Sequence, residues 1–195
     1  MRRVCVFSGS TPGARPDYRS AAAELGGELA ARGVGLVYGG AKVGLMGVVA
    51  DAVMAGGGEA IGVIPDQLMK KEIAHDGLTD LRVVASMHER KAMMADLADG
   101  IVALPGGFGT LEEFIEAVTW VQLGLQVKPC GLLDVAGFYQ PLLRLVDHAV
   151  QERFIPAEHR DLIIVEPTPA RLLDAMPRWQ PPTVEKWVDR APPAR

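Results

Sequence analysis

A chain of 195 residues that is 49% apolar and 23% charged has the size and usage of one globular domain with a substantial core. Its formal charge of −4 supplies no broad basic face, which argues against a general nucleic-acid binder, and no stretch approaches the roughly 20 apolar residues of a membrane-spanning helix. Two cysteines, Cys5 and Cys130, sit inside apolar runs and read as reduced core residues of a cytoplasmic protein, while the four histidines show no ligand spacing, so no metal is expected.

Val4-Cys5-Val6-Phe7 reads as a strand that runs into the turn-rich Ser8-Gly9-Ser10-Thr11-Pro12-Gly13. This first apolar run is too short for a signal peptide. Tyr18, Ala22, Leu25 and Leu29 then recur at helical spacing up to a stop near Gly33. Gly35-Leu36-Val37-Tyr38 is a second strand ended by Gly39-Gly40, and a helix opening at Val43-Gly44-Leu45-Met46-Gly47 runs to Gly56-Gly57-Gly58. Ala60-Ile61-Gly62-Val63-Ile64 is a third strand, broken by Pro65. Leu81-Arg82-Val83-Val84-Ala85 leads into a helix at Ser86, and Ile101-Val102-Ala103-Leu104 leads through a glycine-rich turn into a helix containing Phe114 to Trp120. Gly131-Leu132-Leu133, a helix around Leu142 to Val146, the strand Leu162-Ile163-Ile164-Val165 and a short helix from Ala170 to Met176 complete the series.

Strands alternating with helices throughout predict an α/β fold, a doubly wound parallel sheet with helices on both faces, in a single domain over residues 1–176. The proline-rich stretch 177–195 is expected as a loosely packed tail, with Trp179 and Trp187 as candidates for packing back onto the domain.

In such sheets ligands bind outside the carboxyl ends of the strands, where the loops after Phe7, Tyr38, Ala85 and Leu104 converge. Three of these loops carry glycine clusters. Pro105-Gly106-Gly107-Phe108-Gly109-Thr110-Leu111-Glu112-Glu113 is the most informative, because glycines at a strand end let main-chain N–H groups converge on an anion at a helix N-terminus. A cradle for phosphate alone has no use for the carboxylate of Glu113, which points to chemistry on another part of the ligand. The same residues also fit a capping box, with Thr110 as N-cap and Glu113 reaching back to it. Ser86 and Glu89 form a second capping-box candidate, after which Met87, Arg90, Lys91 and Met94 fall on one helical face. Cations in a first helical turn oppose the dipole unless an anion joins them, although solvation is the commoner fate of such residues.

Several phosphate-binding signatures are missing. There is no G-x-x-x-x-G-K-[ST], and neither Gly9 with Gly13 nor Gly39-Gly40 with Gly44 and Gly47 has the G-x-G-x-x-G spacing. No lysine is marked out for a pyridoxal phosphate Schiff base. A small phosphorylated ligand, with one carboxylate and one or two cations near its reacting bond, fits the residues better.

Ser86-Met87-His88-Glu89-Arg90-Lys91 together with the Pro105 to Glu113 segment resembles the paired signature of the LONELY GUY (LOG) family. These are cytokinin riboside 5′-monophosphate phosphoribohydrolases that long carried the label lysine decarboxylase. The likeness runs from about residue 3 to 176 and includes Leu36-Val37-Tyr38-Gly39-Gly40, Gly62-Val63-Ile64-Pro65 and Thr119-Trp120-Val121-Gln122-Leu123-Gly124. It implies a Rossmann-like fold, a homodimer with sites near the subunit interface, and no cofactor. By the same resemblance Arg90 and Glu113 are the catalytic pair. Gly107, Gly109 and Thr110 match the phosphate-binding turn, and Phe108, Lys91, Glu72 and Thr119 are the further substrate-binding positions. Some relatives carry cysteine in place of Ser8, glycine in place of Ala41, and proline and arginine in place of Lys70-Lys71, the last close to the expected base pocket.

The expected reaction is hydrolysis of the N-glycosidic bond of a nucleoside 5′-monophosphate, AMP or an N6-modified AMP, to free base and ribose 5-phosphate. No nucleic-acid or membrane partner is expected. The competing expectation is a nucleotide-binding module without hydrolysis, which the glycine-rich turn alone would serve.

Overall fold

Alternation along the strands sets the architecture. On the first strand Val4 and Val6 face one side of the sheet and Cys5 and Phe7 the other, and all four are buried. A strand apolar on both faces needs cover on both, which is the condition of a parallel sheet wrapped by helices. The computed structural model describes residues 1–69 and 74–182. In chain order the elements are β1 (Arg3–Phe7), α1 (Pro16–Ala31), β2 (Gly35–Tyr38), α2 (Gly44–Ala55), β3 (Ala60–Pro65), α3 (Asp66–Met69) and β4 (Asp80–Val84). They continue with α4 (Met87–Leu97), β5 (Gly100–Ala103), α5 (Phe108–Gln122), β6 (Cys130–Leu133), α6 (Gln140–Gln151), β7 (Ile163–Glu166) and α7 (Pro169–Ala175).

All seven strands form one parallel sheet in the order β4-β3-β2-β1-β5-β6-β7. One face carries Leu25 and Leu29 of α1, Leu45, Val49 and Val53 of α2, and Leu172 and Leu173 of α7. The opposite face carries Met94 of α4, Phe114, Ala117 and Val121 of α5, and Leu143 and Val146 of α6. Burial of a side chain such as Phe114 contributes about 1.5–3 kcal/mol. Helices α1 and α2 touch closely, because a Cβ on Gly26 would lie 2.6 Å from the Ala52 Cβ.

The doubly wound, Rossmann-like expectation therefore holds, with Pro65 as the last residue of β3 instead of a breaker before its end. Pro65 pairs with Val84, at the end of β4, the edge strand. The chain winds outward from β1 to β4 and then returns to β5 on the other side of β1, so the carboxyl ends of β1 and β5 flank the switch in strand order. That is where a crevice opens in such sheets. Cys5 and Cys130 are buried and unbridged, and no helix among the described residues is long and apolar enough to cross a membrane. Trp179 packs against the core and donates from its indole N–H to the Asp161 carbonyl at 3.0 Å, whereas Trp187 lies outside the described residues.

Candidate active site

The β1 and β5 loops are laced together at the switch. Leu104 N–H donates to the Phe7 carbonyl at 2.9 Å and Gly9 N–H to the Pro105 carbonyl at 3.1 Å, while Leu45 N–H of α2 donates to the Gly9 carbonyl at 2.9 Å. Gly44 has φ 57° and a Cβ there would sit 2.3 Å from the Ser10 carbonyl carbon, so only glycine lets the β1 loop lie across the start of α2. Tyr139 adds a hydroxyl bond to the Leu104 carbonyl at 2.6 Å.

Helix α5 starts earlier than the capping-box reading expects. Gly107, in extended conformation, is the N-cap, and Thr110 is the third helical residue, buried, with its Oγ1 only 2.1 Å from where a Gly106 Cβ would stand. The capping role for Thr110 and Glu113 is thereby overturned, since Glu113 sits in the second helical turn, beyond the reach of the N-cap N–H. At α4 the capping reading holds: the Ser86 hydroxyl accepts from Glu89 N–H at 3.1 Å. The Glu89 carboxylate reaches one residue further back than expected and accepts from Ala85 N–H at 2.9 Å.

A cavity of about 270 Å³ opens over this junction. Its wall is made by Ser8 and Ser10 of the β1 loop, Met46 of α2, Leu68 of α3, Met87 and Arg90 of α4, and Gly107, Phe108, Gly109, Thr110, Glu112 and Glu113 of α5. Arg90 is only 6% exposed, so the solvated alternative fails for it. Its Nε donates to the Val63 carbonyl at 3.1 Å and its Nη2 to the Gly39 carbonyl at 3.1 Å, so one edge of the guanidinium is held by the ends of β3 and β2. Gly39 is the residue that permits this, because a Cβ there would stand 2.1 Å from Nη2. Beneath lies Cys5, whose thiol is pushed far up by burial and further by the Glu113 carboxylate, against the opposing pull of Arg90. Such a thiol stays protonated and inert.

The remaining expected residues are distributed elsewhere. Lys91 is an ion-pair brace between α4 and α5, with Nζ 2.7 Å from Glu112 and 2.8 Å from Glu116. Burial lowers its pKa, but the two carboxylates outweigh this and raise it. Thr119 donates to the Ile115 carbonyl at 2.7 Å and lines a separate groove of about 700 Å³ along the outer flank of α5, with Phe108, Glu112, Ile115, Glu116 and Trp120. Glu72 lies outside the described residues. The chain just beyond it is anchored beside the cavity's β2 edge: His75 N–H donates to the Gly40 carbonyl at 2.9 Å, and its Nε2 meets Asp51 at 2.9 Å. His75 Nδ1 accepts from Gly77 N–H at 3.1 Å, which assigns the ring proton to Nε2.

Sequence reasoning did not single out Ser8, Ser10, Met46, Leu68 or Met87 as site residues. The signal for Ser8 and Ser10 was their position in the turn that ends β1, on the ligand-binding edge of the sheet.

Fold and cavity together define a Rossmann-like α/β protein with a glycine-turn helix N-terminus, a buried arginine and a carboxylate around one crevice at the switch point. Residues 46–176 match the family model described as "Possible lysine decarboxylase". The chain belongs to the LOG family. It is 54% identical over 181 residues to "Probable cytokinin riboside 5′-monophosphate phosphoribohydrolase LOGL9" of Oryza sativa subsp. japonica, covering 93% of this chain and 80% of that protein. It is 50% identical to cytokinin riboside 5′-monophosphate phosphoribohydrolase LOG of the same plant, over 93% and 75% of the two chains. Among solved structures, the molybdenum cofactor carrier protein MCP of Chlamydomonas reinhardtii superposes with a TM-score of 0.66 at 21% identity, covering 89% of this chain and 94% of that one, which is a likeness of fold.

Proposed function

We propose that the protein hydrolyses the N-glycosidic bond of a nucleoside 5′-monophosphate, AMP or an N6-modified AMP of the cytokinin type, releasing the base and ribose 5-phosphate. The observation that carries this reading is the meeting of Arg90 and Glu113 on the wall of one cavity with the glycine turn that opens α5. Relatives about half identical over almost the whole chain, named as cytokinin riboside 5′-monophosphate phosphoribohydrolases, support it. In this reading the main-chain N–H groups of Gly107 to Thr110 hold the 5′-phosphate at the positive end of α5. A Cβ on Gly107 or Gly109 would meet nothing within 4 Å, so packing does not call for glycine there and the approach of a ligand does.

As the C1′–N bond breaks, positive charge builds on C1′ and the ring oxygen. The Glu113 carboxylate stabilises that charge and orients water, which adds to C1′ while the departing base takes a proton. Arg90, clamped by the carbonyls of Val63 and Gly39, keeps a fixed positive charge beside the carboxylate and the developing anion of the base. Phe108 serves substrate binding from the cavity wall, Lys91 acts through Glu112 and Glu116, and Glu72 and Thr119 are further substrate-binding positions, Thr119 from the neighbouring groove. Neither metal nor organic cofactor takes part in these steps.

The residues 1–176 are assigned as the catalytic domain and 177–195 as a tail. Two copies pair through the outer flank of α5, a homodimer supported by the exposure of Phe108 (93%), Leu123 (52%) and Leu125 (71%) in the Thr119 groove. Pairing there would bring a second chain to the groove that Thr119 lines. The unbridged buried cysteines support a cytoplasmic location. The test is incubation with AMP and with isopentenyladenosine 5′-monophosphate, reading free base by chromatography. Glu113→Gln keeps the shape and removes the charge, and is expected to lose about 10²–10⁴ of the rate while melting near the wild-type temperature. Wild-type turnover in that variant sinks the assignment of Glu113, and tight binding of both nucleotides without base release supports the binding-module alternative.

A further inference from the structure

Among the described residues, Ser8 Oγ is the one fully buried side-chain polar atom of the cavity wall that has no hydrogen-bond partner. The Gly9 N–H and carbonyl, Tyr139 hydroxyl and Arg90 Nε and Nη2 all have theirs. The Ser8 hydroxyl does not: the residue is 9% exposed, and its Oγ is buried without a hydrogen-bond partner. A hydroxyl carries one donor and two acceptor sites, and leaving all of them unmade in a protein interior is unfavourable. Tyr38 Oη and His159 Nδ1 share that condition, but neither residue lines the cavity, whereas Ser8 does.

The position of Ser8 adds to this. It is the first residue after β1, directly before Gly9, whose N–H is bonded to the Pro105 carbonyl and stands 2.9 Å from where a Gly106 Cβ would be. Ser8 therefore flanks the glycine turn from the β1 side of the switch point, while the α5 N-terminus flanks it from the β5 side. A 5′-phosphate dianion offers three terminal oxygens with more acceptor capacity than the N–H groups of one helical turn fill. A turn of χ1 carries the Ser8 hydroxyl between staggered positions with no change of main chain.

We infer that Ser8 is a further substrate-binding residue, its Oγ–H donating to a 5′-phosphate oxygen held by the glycine turn. This rests on the phosphoribohydrolase reading and deepens it: the phosphate is gripped from both strands at the switch, β1 through a side chain and β5 through main chain. A hydroxyl kept partnerless in the empty protein is stabilising only once the substrate arrives, so Ser8 serves binding at the expense of the unliganded fold.

The experiment compares wild type, Ser8→Ala and Ser8→Cys for inhibition of base release by each product, ribose 5-phosphate and adenine, alongside thermal melting. Ser8→Ala is expected to raise the inhibition constant of ribose 5-phosphate about tenfold, leave that of adenine unchanged, and keep or raise Tm. Ser8→Cys, a weaker donor of similar volume, is expected to fall between the two and stands in if the alanine variant does not fold. An unchanged ribose 5-phosphate constant in Ser8→Ala, with base release intact, overturns the inference and leaves the hydrolase reading standing. Equal weakening toward both products together with a lowered Tm overturns it in favour of a packing role. Wild-type protein that releases no base from either nucleotide defeats the underlying reading instead.

Discussion

The two flanks of α5 are built on opposite terms. On the inner flank Phe114, Ala117 and Val121 are buried, and the helix begins against a junction where main-chain hydrogen bonds tie β1 to β5 and to α2. Arg90 at this junction is held by the carbonyls of Val63 in β3 and Gly39 just past β2. The outer flank is open: Ile115 and Leu123 are 40% and 52% exposed, and its charges are ion pairs between the side chains of Lys91, Glu112 and Glu116. The inner flank fixes charges to within a hydrogen bond, which chemistry at a single bond demands. The outer flank offers apolar area and adjustable side chains, which suits association. One helix thereby separates a crevice of fixed charges from an open, partly apolar flank, the one proposed above for pairing.

The comparison breaks hardest at Gly39. Gly39→Ala drives a methyl into Arg90 Nη2, so the guanidinium must leave its clamp. Base release is expected to fall by at least about 10²-fold, and the fold to lose about 1–3 kcal/mol in denaturant melts. Activity close to wild type would show that the clamp is not needed. On the outer flank, Leu125→Asp is expected to convert a dimer to a monomer in sedimentation, with the isolated protomer's stability changed by no more than about 0.5 kcal/mol. A variant that remains dimeric removes this flank from the interface.

Gly107→Ala sharpens the inner side. Its Cβ meets no protein atom within 4 Å, so Tm should stay unchanged while KM for the nucleotide rises several-fold. An unchanged KM would remove the turn from the phosphate site. The smallest effect lies at the amino ends of the strands, away from the cavity. There the Arg3 side chain holds the Glu59 carboxylate below its usual range against the opposing effect of burial. The Arg2 main-chain N–H does the same for Asp99 against burial, helped by that of Arg3. Groups with lowered folded-state pKa stabilise above the ordinary carboxylate range, near pH 4, and lose that contribution as pH falls through the lowered values. A modest decline of Tm between about pH 5 and 3 is expected, smaller in Glu59→Gln than in the wild type. Identical acid profiles for the two proteins would exclude the Arg3–Glu59 pair as its source.

Much was legible in sequence because it depends on local pattern. Short continuous apolar runs such as Val4 to Phe7, closed by a turn with glycines, locate strands, and helical spacing such as Tyr18 to Leu29 locates helices. Their alternation dictates a parallel sheet covered twice, because each strand must hide two faces. The Pro105 to Glu113 segment could be read as an anion cradle for the same reason: glycine at a strand end before a helix has a direct conformational meaning. Ser86 as an N-cap was equally local.

Tertiary structure decided what depends on partners distant in the chain. Thr110 matches the N-cap pattern, yet Gly107 takes that role, because packing of Thr110 against Gly106 and the Gly9–Pro105 bond fix where the helix starts. Arg90 and Lys91 are adjacent in sequence and alike in charge. One is buried on carbonyls 27 and 51 residues away, and the other braces α4 to α5. In sequence Ser8 stood out only by sitting in the turn after β1 and by replacing the cysteine that some relatives carry there. What singles it out is a hydroxyl without a partner on the wall of a cavity, and that condition arises only when β1 and β5, nearly a hundred residues apart, close around it. Local pattern determines which elements form and on which edge a ligand sits, whereas long-range contacts determine which side chains are held and which await a partner.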